Sequence, residues 1–464
     1  MGDLVAWRRG DWVGFPSYDL GEHTICVGSS GSGKTESLLR LAYGARKFYG
    51  RQIIFIDAKG DERQETAARF VAAMRAAGAQ RVRMFPATYY NGWKGSAVDL
   101  FNRLISVIDY SESRFYGDVA ADILRLALNA PTGVPRSSQQ LLDAMTFRRL
   151  MEAYKRTPQV TAVAGLDRKL LNQVLMRYRV FFGAMNGQLD GTLSYEDADA
   201  VYVMIKGFTL RDEAPRLGRF LALDFAHYAA ARKPPDVHAL LIIDEFNALR
   251  MRDEASILFE QARSFGAGLV ISSQSYAGLG RREDAERMLD AANTYILHRC
   301  PDPEEIARRA GRQPRIQANW GVELGKATSR ARMQLYDDWK VPPDVVRQQE
   351  RGEAFLINGG RSQQLRFAQV HLAPEAIAEA RRLIQQEEAA QQTLLTAVEQ
   401  QAQAAGPSGS GSPVKSTPHQ AKPGKAAQSS SSTSSAQAPH PAQQMNNAAN
   451  AKAQDDEDAA DRIS

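Results

Sequence analysis

The stretch HTICVGSSGSGKTES, from His23 to Ser37, constrains the fold more than any other part of the chain. An apolar, β-branched run ends in a loop of glycines and serines, and the residues from Lys34 to about Tyr49 then follow a helical pattern. A strand that feeds a helix through a glycine-rich turn is half of a crossover between parallel strands. The same alternation repeats at once: a strand over Gln52 to Ile56, a helix near Glu62 to Ala77, and a strand over Arg81 to Phe85. The spacing predicts an α/β fold with a mainly parallel sheet covered by helices on both faces.

Between about Leu104 and Tyr195 the pattern changes. Val119 to Leu128, Gln139 to Tyr154 and Asp167 to Phe182 show helical periodicity with almost no strand signal, as expected of an all-α insertion. Strands return at Ala200 to Ile205, Ala239 to Ile243, Leu269 to Ser273, Thr294 to His298, Glu353 to Ile357 and Gln364 to Val370, with a helix from about Asp212 to Ala231. We therefore divide the chain into a first part of the sheet domain (1–104), an inserted all-α domain (105–195), a second part of the sheet domain (196–372), a C-terminal helix (373–405) and a tail (406–464). The tail is rich in Gly, Pro, Ser and Gln, which cannot bury enough surface to offset ordering entropy. It is expected to be disordered up to the acidic tip Asp455 to Asp458.

The chain has 464 residues, of which 44% are hydrophobic, so it can bury a large core. Its two cysteines, Cys26 and Cys300, are too few for a disulfide framework and read as core thiols in a reducing compartment. No run reaches the ~20 apolar residues of a spanning helix, which predicts a cytoplasmic chain, held at the inner face of a membrane only through a partner. The net charge is +5, but the stretch from Gln386 onward carries eight acidic and five basic residues, leaving a body of about +8. That balance suits a polyanionic partner without requiring one.

Chemistry is concentrated in a few residues. Gly28 and Gly33 bracket four residues before Lys34 and Thr35, the P-loop spacing. Gly28, Ser29, Ser30, Gly31, Ser32, Gly33, Lys34, Thr35 and Glu36 would form an anion cradle of backbone N–H groups at a helix N-terminus. Lys34 would reach the β and γ phosphates of ATP and Thr35 would ligate Mg²⁺. ALLIIDEF supplies the acidic pair expected at the end of a buried strand. Asp244 would hold the Mg²⁺ shell and Glu245 would deprotonate the attacking water. The competing reading is a helix cap with no catalytic role. Gln274 ends the next strand as a candidate γ-phosphate sensor, and Arg263 is a candidate arginine finger for a neighbouring subunit. By position alone, each is as readily a solvated loop side chain. IIFIDAKGD brings Asp57, Lys59 and Asp61 to another strand end, as ligand-facing residues or as an ordinary polar turn.

These motifs together resemble the type IV coupling proteins of bacterial conjugation and type IV secretion, the TraD/TraG group, within the FtsK and HerA class of motor ATPases. The resemblance rests on HTICVGSSGSGKT, on IIFIDAKGD where the family has D-P-K-G-[DE], on LLIIDEF, and on GLVISSQS with its glutamine. NTYILHRCPDPEEIARRAG and VPPDVVRQQERGEAFLINGGR extend it, so that it runs from about Gly21 to Val370. It implies a RecA-like P-loop NTPase with the all-α domain inserted after the third strand. It also implies a ring, a homo-hexamer, driven by ATP and Mg²⁺, that takes a relaxase-bound single strand of DNA to the secretion channel proteins. Lys34, Asp244, Glu245, Gln274 and Arg263 occupy the matching positions. Two departures stand out: Ala58 replaces the family's proline, and the transmembrane helices of many members are missing.

Two other readings stay open at this point: a double-stranded DNA translocase or helicase of the FtsK or HerA kind, and a nucleotide-gated receptor or scaffold for relaxase cargo. Lys59, Arg63, Arg148, Arg149, Arg168 and Lys169 are candidate phosphate contacts for a DNA channel, or simply solvated charges.

Overall fold

The computed structural model describes residues 3–8, 11–15, 22–60, 64–108, 114–206, 210, 212–231, 238–251, 258–259, 262–323 and 326–404. Thirteen strands are found among them. Eleven form one sheet in the order β2-β1-β13-β12-β9-β3-β8-β7-β4-β6-β5. Seven are mutually parallel: β3 (His23–Val27), β4 (Gln52–Asp57), β5 (Val82–Phe85), β6 (Ala200–Met204), β7 (Ala239–Asp244), β8 (Ala267–Ser273) and β9 (Ala292–His298). β12 (Glu353–Asn358), β13 (Arg361–Phe367), β1 (Asp3–Arg8) and β2 (Asp11–Phe15) extend it antiparallel beyond β9.

The apolar runs are continuous because both faces of the parallel strands are covered. In β4, Ile53 and Phe55 belong to one cluster with Leu38, Phe70 and Ile384, whereas Ile54 and Ile56 belong to another with Leu217 and Phe220. The first cluster is capped by α1 (Lys34–Tyr49), α2 (Glu65–Ala76) and, through Ala380 and Ile384, by α13 (Pro374–Ala404). The second is capped by α3 (Ala97–Ser106) and α9 (Glu213–Ala231).

The helical segment comprises α4 (Arg114–Leu128), α5 (Ser138–Ala144), α6 (Phe147–Tyr154), α7 (Val160–Ala164) and α8 (Arg168–Met185). Its buried side chains, among them Leu124, Leu150 and Tyr178, join the second cluster. Arg103 of α3, 1% exposed, is paired with Asp224 of α9, and Tyr90 also donates to that carboxylate, so α3 and α9 share a buried polar network.

Three features depart from expectation. The last strand starts at Arg361, not Gln364, because Gly359 and Gly360, with φ of 53° and 75°, make a two-residue hairpin turn that pairs Asn358 with Arg361. β1 and β2 form an unforeseen edge hairpin. A second hairpin, β10 (Arg312–Glu323) with β11 (Lys326–Trp339), stands apart from the main sheet; α10 (Arg282–Ala291) and α11 (Glu304–Ala307) precede it, and α12 (Pro343–Arg347) follows. Among the described residues no helix is long and apolar enough to cross a membrane. The tail 406–464 lies outside them.

Candidate active site

β3 ends at Val27, and the loop from Gly28 to Gly33 turns the chain into α1. Gly31 and Gly33 have φ of 76° and 110°, the region that glycine enters without a Cβ penalty. Close approach matters as much. A Cβ at Gly28 would stand 2.5 Å from the His298 Cβ and 2.7 Å from Ser32 Oγ, and one at Gly33 would stand 2.9 Å from the Gly352 nitrogen. The loop is tied to its surroundings by Gly28 N–H to Ser273 O (3.1 Å), Ser29 N–H to Arg299 O (2.8 Å) and Gly352 N–H to Ser32 O (2.8 Å).

Lys34 is buried, and its Nζ donates to the carbonyls of Gly28 (2.6 Å) and Ser29 (3.2 Å). Ser32 Oγ is buried with no hydrogen-bond partner among the described residues. The first-turn amides of Lys34, Thr35 and Glu36 lack the acceptor four residues back that interior amides have. A hydroxyl unpartnered among the described residues, an ammonium bonded there to neutral carbonyls and a helix N-terminus together suit an anion. The Glu36 carboxylate is held by Arg69, with Nη2 2.7 Å from Oε2, so its share in the cradle would be through its amide.

The acidic pair ends β7. Sheet order puts β8 between β3 and β7, so the loop and the acids converge across one intervening strand. Thr35 Oγ1 donates to Asp244 Oδ2 at 2.7 Å. Asp244 Oδ1 accepts from Ser272 Oγ and from Glu245 N–H (3.1 Å). Glu245 is buried and has φ 58° and ψ 50°, a left-handed conformation that costs a non-glycine residue about 1–3 kcal/mol. It precedes the 3₁₀ turn Phe246–Leu249, yet its side chain caps nothing; its Oε2 instead accepts from Gln274 Nε2 at 3.0 Å. Thr35, Asp244, Glu245 and Gln274 thus form a chain of contacts at the carboxyl edge of β8 and β7.

Asp57 ends β4 directly opposite Asp244. Its carboxylate accepts from Tyr202 Oη (2.7 Å) and from the amides of Lys59 (3.1 Å) and Gly60 (3.0 Å). Burial raises its pKa, with the charge of Asp244 pushing the same way. Asp57 thus closes its own loop, while Lys59 is exposed. Arg263 begins the 3₁₀ turn Arg263–Phe265, but its side chain lies outside the described residues, as do Asp61 and Arg63. Arg148, Arg149, Arg168 and Lys169 are exposed on α6 and α8. Cys26 and Cys300 are buried, and burial pushes both thiols up to about 12, which makes them inert.

Two contributors escaped the sequence reading. Ser272, fully buried, also accepts the Glu245 N–H at 3.1 Å. His298 lies behind the loop, with Nε2 3.1 Å from Ser37 Oγ and Nδ1 2.8 Å from Glu353 O. The serine's signal was a polar residue inside an apolar strand beside the acidic pair; the histidine's was its place at the end of a strand.

No protein-family model matches the sequence, and no curated protein does. Solved structures do. The conjugative coupling protein TrwB in an unbound form matches with a TM-score of 0.60 at 14% identity, over 80% of this chain and 90% of that one. TrwB in complex with ADP and Mg²⁺ matches with a TM-score of 0.58 at 15% identity, over 78% and 89%. VirB4 of Thermoanaerobacter pseudethanolicus matches with a TM-score of 0.51 at 14% identity, over 81% and 98%. The expected architecture holds: this chain has the RecA-like P-loop fold seen in the coupling protein TrwB.

Proposed function

We propose that the chain is a P-loop ATPase that uses ATP and Mg²⁺ to move DNA in conjugative transfer, passing a relaxase-bound single strand toward a type IV secretion channel as a hexameric ring. The observation that carries this reading is the meeting of Lys34, Thr35, Asp244, Glu245 and Gln274 at one sheet edge, on a fold shared with TrwB. TrwB itself is described in complex with ADP and Mg²⁺ and with a non-hydrolysable ATP analogue.

The donor set fits Mg²⁺ as phosphate-binding sites use it. Among the described residues no cluster of three metal-ligating side chains exists, and Thr35 with Asp244 offers the sparse oxygen set that phosphate oxygens and water complete. Mg²⁺ bound there neutralises charge on the phosphate oxygens. Lys34 would exchange two neutral carbonyls for phosphate oxygens, a stronger charge-assisted pairing. Glu245 would take the proton of the attacking water on Oε1, since Gln274 already donates to Oε2. Gln274 links that base to the end of β8 and through it to the loop.

The helices within 105–195 are assigned as the inserted all-α domain, with Arg148, Arg149, Arg168 and Lys169 as exposed phosphate contacts. Arg263 is assigned as the finger to a neighbouring subunit. The test is steady-state ATP hydrolysis by the full chain without DNA, with single-stranded DNA and with duplex. We expect a severalfold rise with single strands that salt abolishes, because phosphate contacts release counterions. A preference for duplex would indicate an FtsK-like translocase. A rate indifferent to both would overturn the motor reading in favour of a nucleotide-gated receptor.

A further inference from the structure

His298 is the last residue of β9, which flanks β3 on the side away from the acidic pair. It is fully buried. Glu353 O can only accept, so Nδ1 carries the ring proton, and Nε2 is the nitrogen that accepts from Ser37 Oγ–H. Burial lowers the His298 pKa to about 4, and the Lys34 ammonium adds to this, so the ring is neutral at physiological pH. Ser37 lies in the first turn of α1, two residues beyond Thr35. The His298 Cβ also fills the space that a side chain on Gly28 would need. Glu353, the other partner of the ring, follows Gly352, whose N–H holds Ser32 O. His298 therefore meets the loop at its start through its Cβ, and through its imidazole it bonds the helix just past the loop's end and the first residue of β12.

We infer that His298 is a positioning residue for the nucleotide: wedged against Gly28 and bonded to Ser37, it sets the orientation in which α1 presents Lys34 and Thr35 to the phosphates. It does not touch the nucleotide. Without the ring, the Ser37 hydroxyl falls back on Gly33 O, 3.3 Å away, and α1 loses its tie to β9 and β12. This inference rests on the ATPase reading above, and its effect lies in binding. A cradle that holds phosphates equally in ground and transition states changes KM rather than kcat when it is disturbed.

The test uses the full chain and its His298→Ala, His298→Gln and His298→Asn variants. It measures the Kd of a fluorescent ATP analogue, KM and kcat for ATP, and thermal melting as a folding control. The Gln Oε1 reaches the place of Nε2 and can accept from Ser37; the Asn amide reproduces only the Nδ1 donor. We expect the Ala and Asn variants to raise Kd and KM about tenfold, as loss of a buried hydrogen bond does, with kcat within about twofold and with Gln restoring affinity. If the Ala variant does not fold, the contrast between Gln and Asn decides. Unchanged Kd in both Ala and Asn, equal rescue by Asn and Gln, or a loss of kcat at unchanged Kd would overturn the inference. No analogue binding by the unsubstituted protein would overturn the ATPase reading and this inference with it, an outcome distinct from the others.

Discussion

Ser272 is a sharp test of how the acidic pair is held. Its hydroxyl donates to Asp244 and accepts the N–H of Glu245, and it is fully buried, so Ser272→Ala removes both bonds at little cost in volume. A hydrogen bond to a charged group contributes about 1.5–3 kcal/mol. The Glu245 amide keeps its 3.1 Å bond to Asp244 Oδ1, so the second loss is only partial. What the substitution releases is the left-handed backbone of Glu245, which those bonds hold against its own strain. If the loss falls on the transition state, kcat drops roughly 10- to 100-fold. KM for ATP should stay within about threefold, because among the described residues the Ser272 hydroxyl bonds Asp244 and Glu245 and not Lys34 or the loop from Gly28 to Gly33. Steady-state hydrolysis across ATP concentrations, with a denaturant melt as control, reads both quantities. A kcat equal to that of the unsubstituted protein would refute the idea that Ser272 orders the pair, and a rise in KM alone would place it on the wrong ligand.

Asp224→Ala should lower unfolding stability by about 3–5 kcal/mol in denaturant titration, because it strands the Arg103 guanidinium without its counter-ion. Acid stability should carry the mark of His298. Its folded pKa of about 4 lies below the ordinary 6.5, so between those values the unfolded chain binds the extra proton and stability falls as pH falls, by about 2 kcal/mol at pH 5. His298→Gln should flatten that slope in urea titrations at pH 7 and pH 5. Gly31 and Gly33, the loop glycines with positive φ, should also behave differently from each other. Gly31→Ala meets no neighbour and should weaken binding of the ATP analogue severalfold at most. Gly33→Ala meets the Gly352 backbone at 2.9 Å and should abolish that binding.

What was legible in the sequence was local. The run from His23 to Thr35 contains strand, turn and helix in contiguous residues, and Ala239 to Glu245 contains a buried strand with its acids, so each motif carries its own context. Ser272 and His298 gained their roles from strand order. A serine matters beside Asp244 only because β8 lies between β3 and β7, and a histidine reaches Ser37 only because β9 is the other neighbour of β3. No short window contains that order. The edge hairpin β1–β2 is short, so alternation had little length over which to show itself. The β10–β11 hairpin mixes charged with apolar positions through Arg315, Ile316, Asp337 and Asp338, which blurs the two-residue period of a half-buried strand. The last strand starts earlier in the chain than expected, at Arg361, because Gly359 and Gly360 alone complete the turn before it.

The proposed site divides binding, by Lys34, from hydrolysis, by Glu245. The measurement is single-turnover hydrolysis of radiolabelled ATP with Mg²⁺, alongside equilibrium binding, for the unsubstituted chain, Lys34→Ala and Glu245→Gln. We predict that the unsubstituted chain binds and hydrolyses, that Lys34→Ala loses binding, and that Glu245→Gln binds as tightly as the parent while hydrolysis falls at least a hundredfold, as removal of a general base does. Hydrolysis by Glu245→Gln at the parental rate, or undiminished binding by Lys34→Ala, would contradict it.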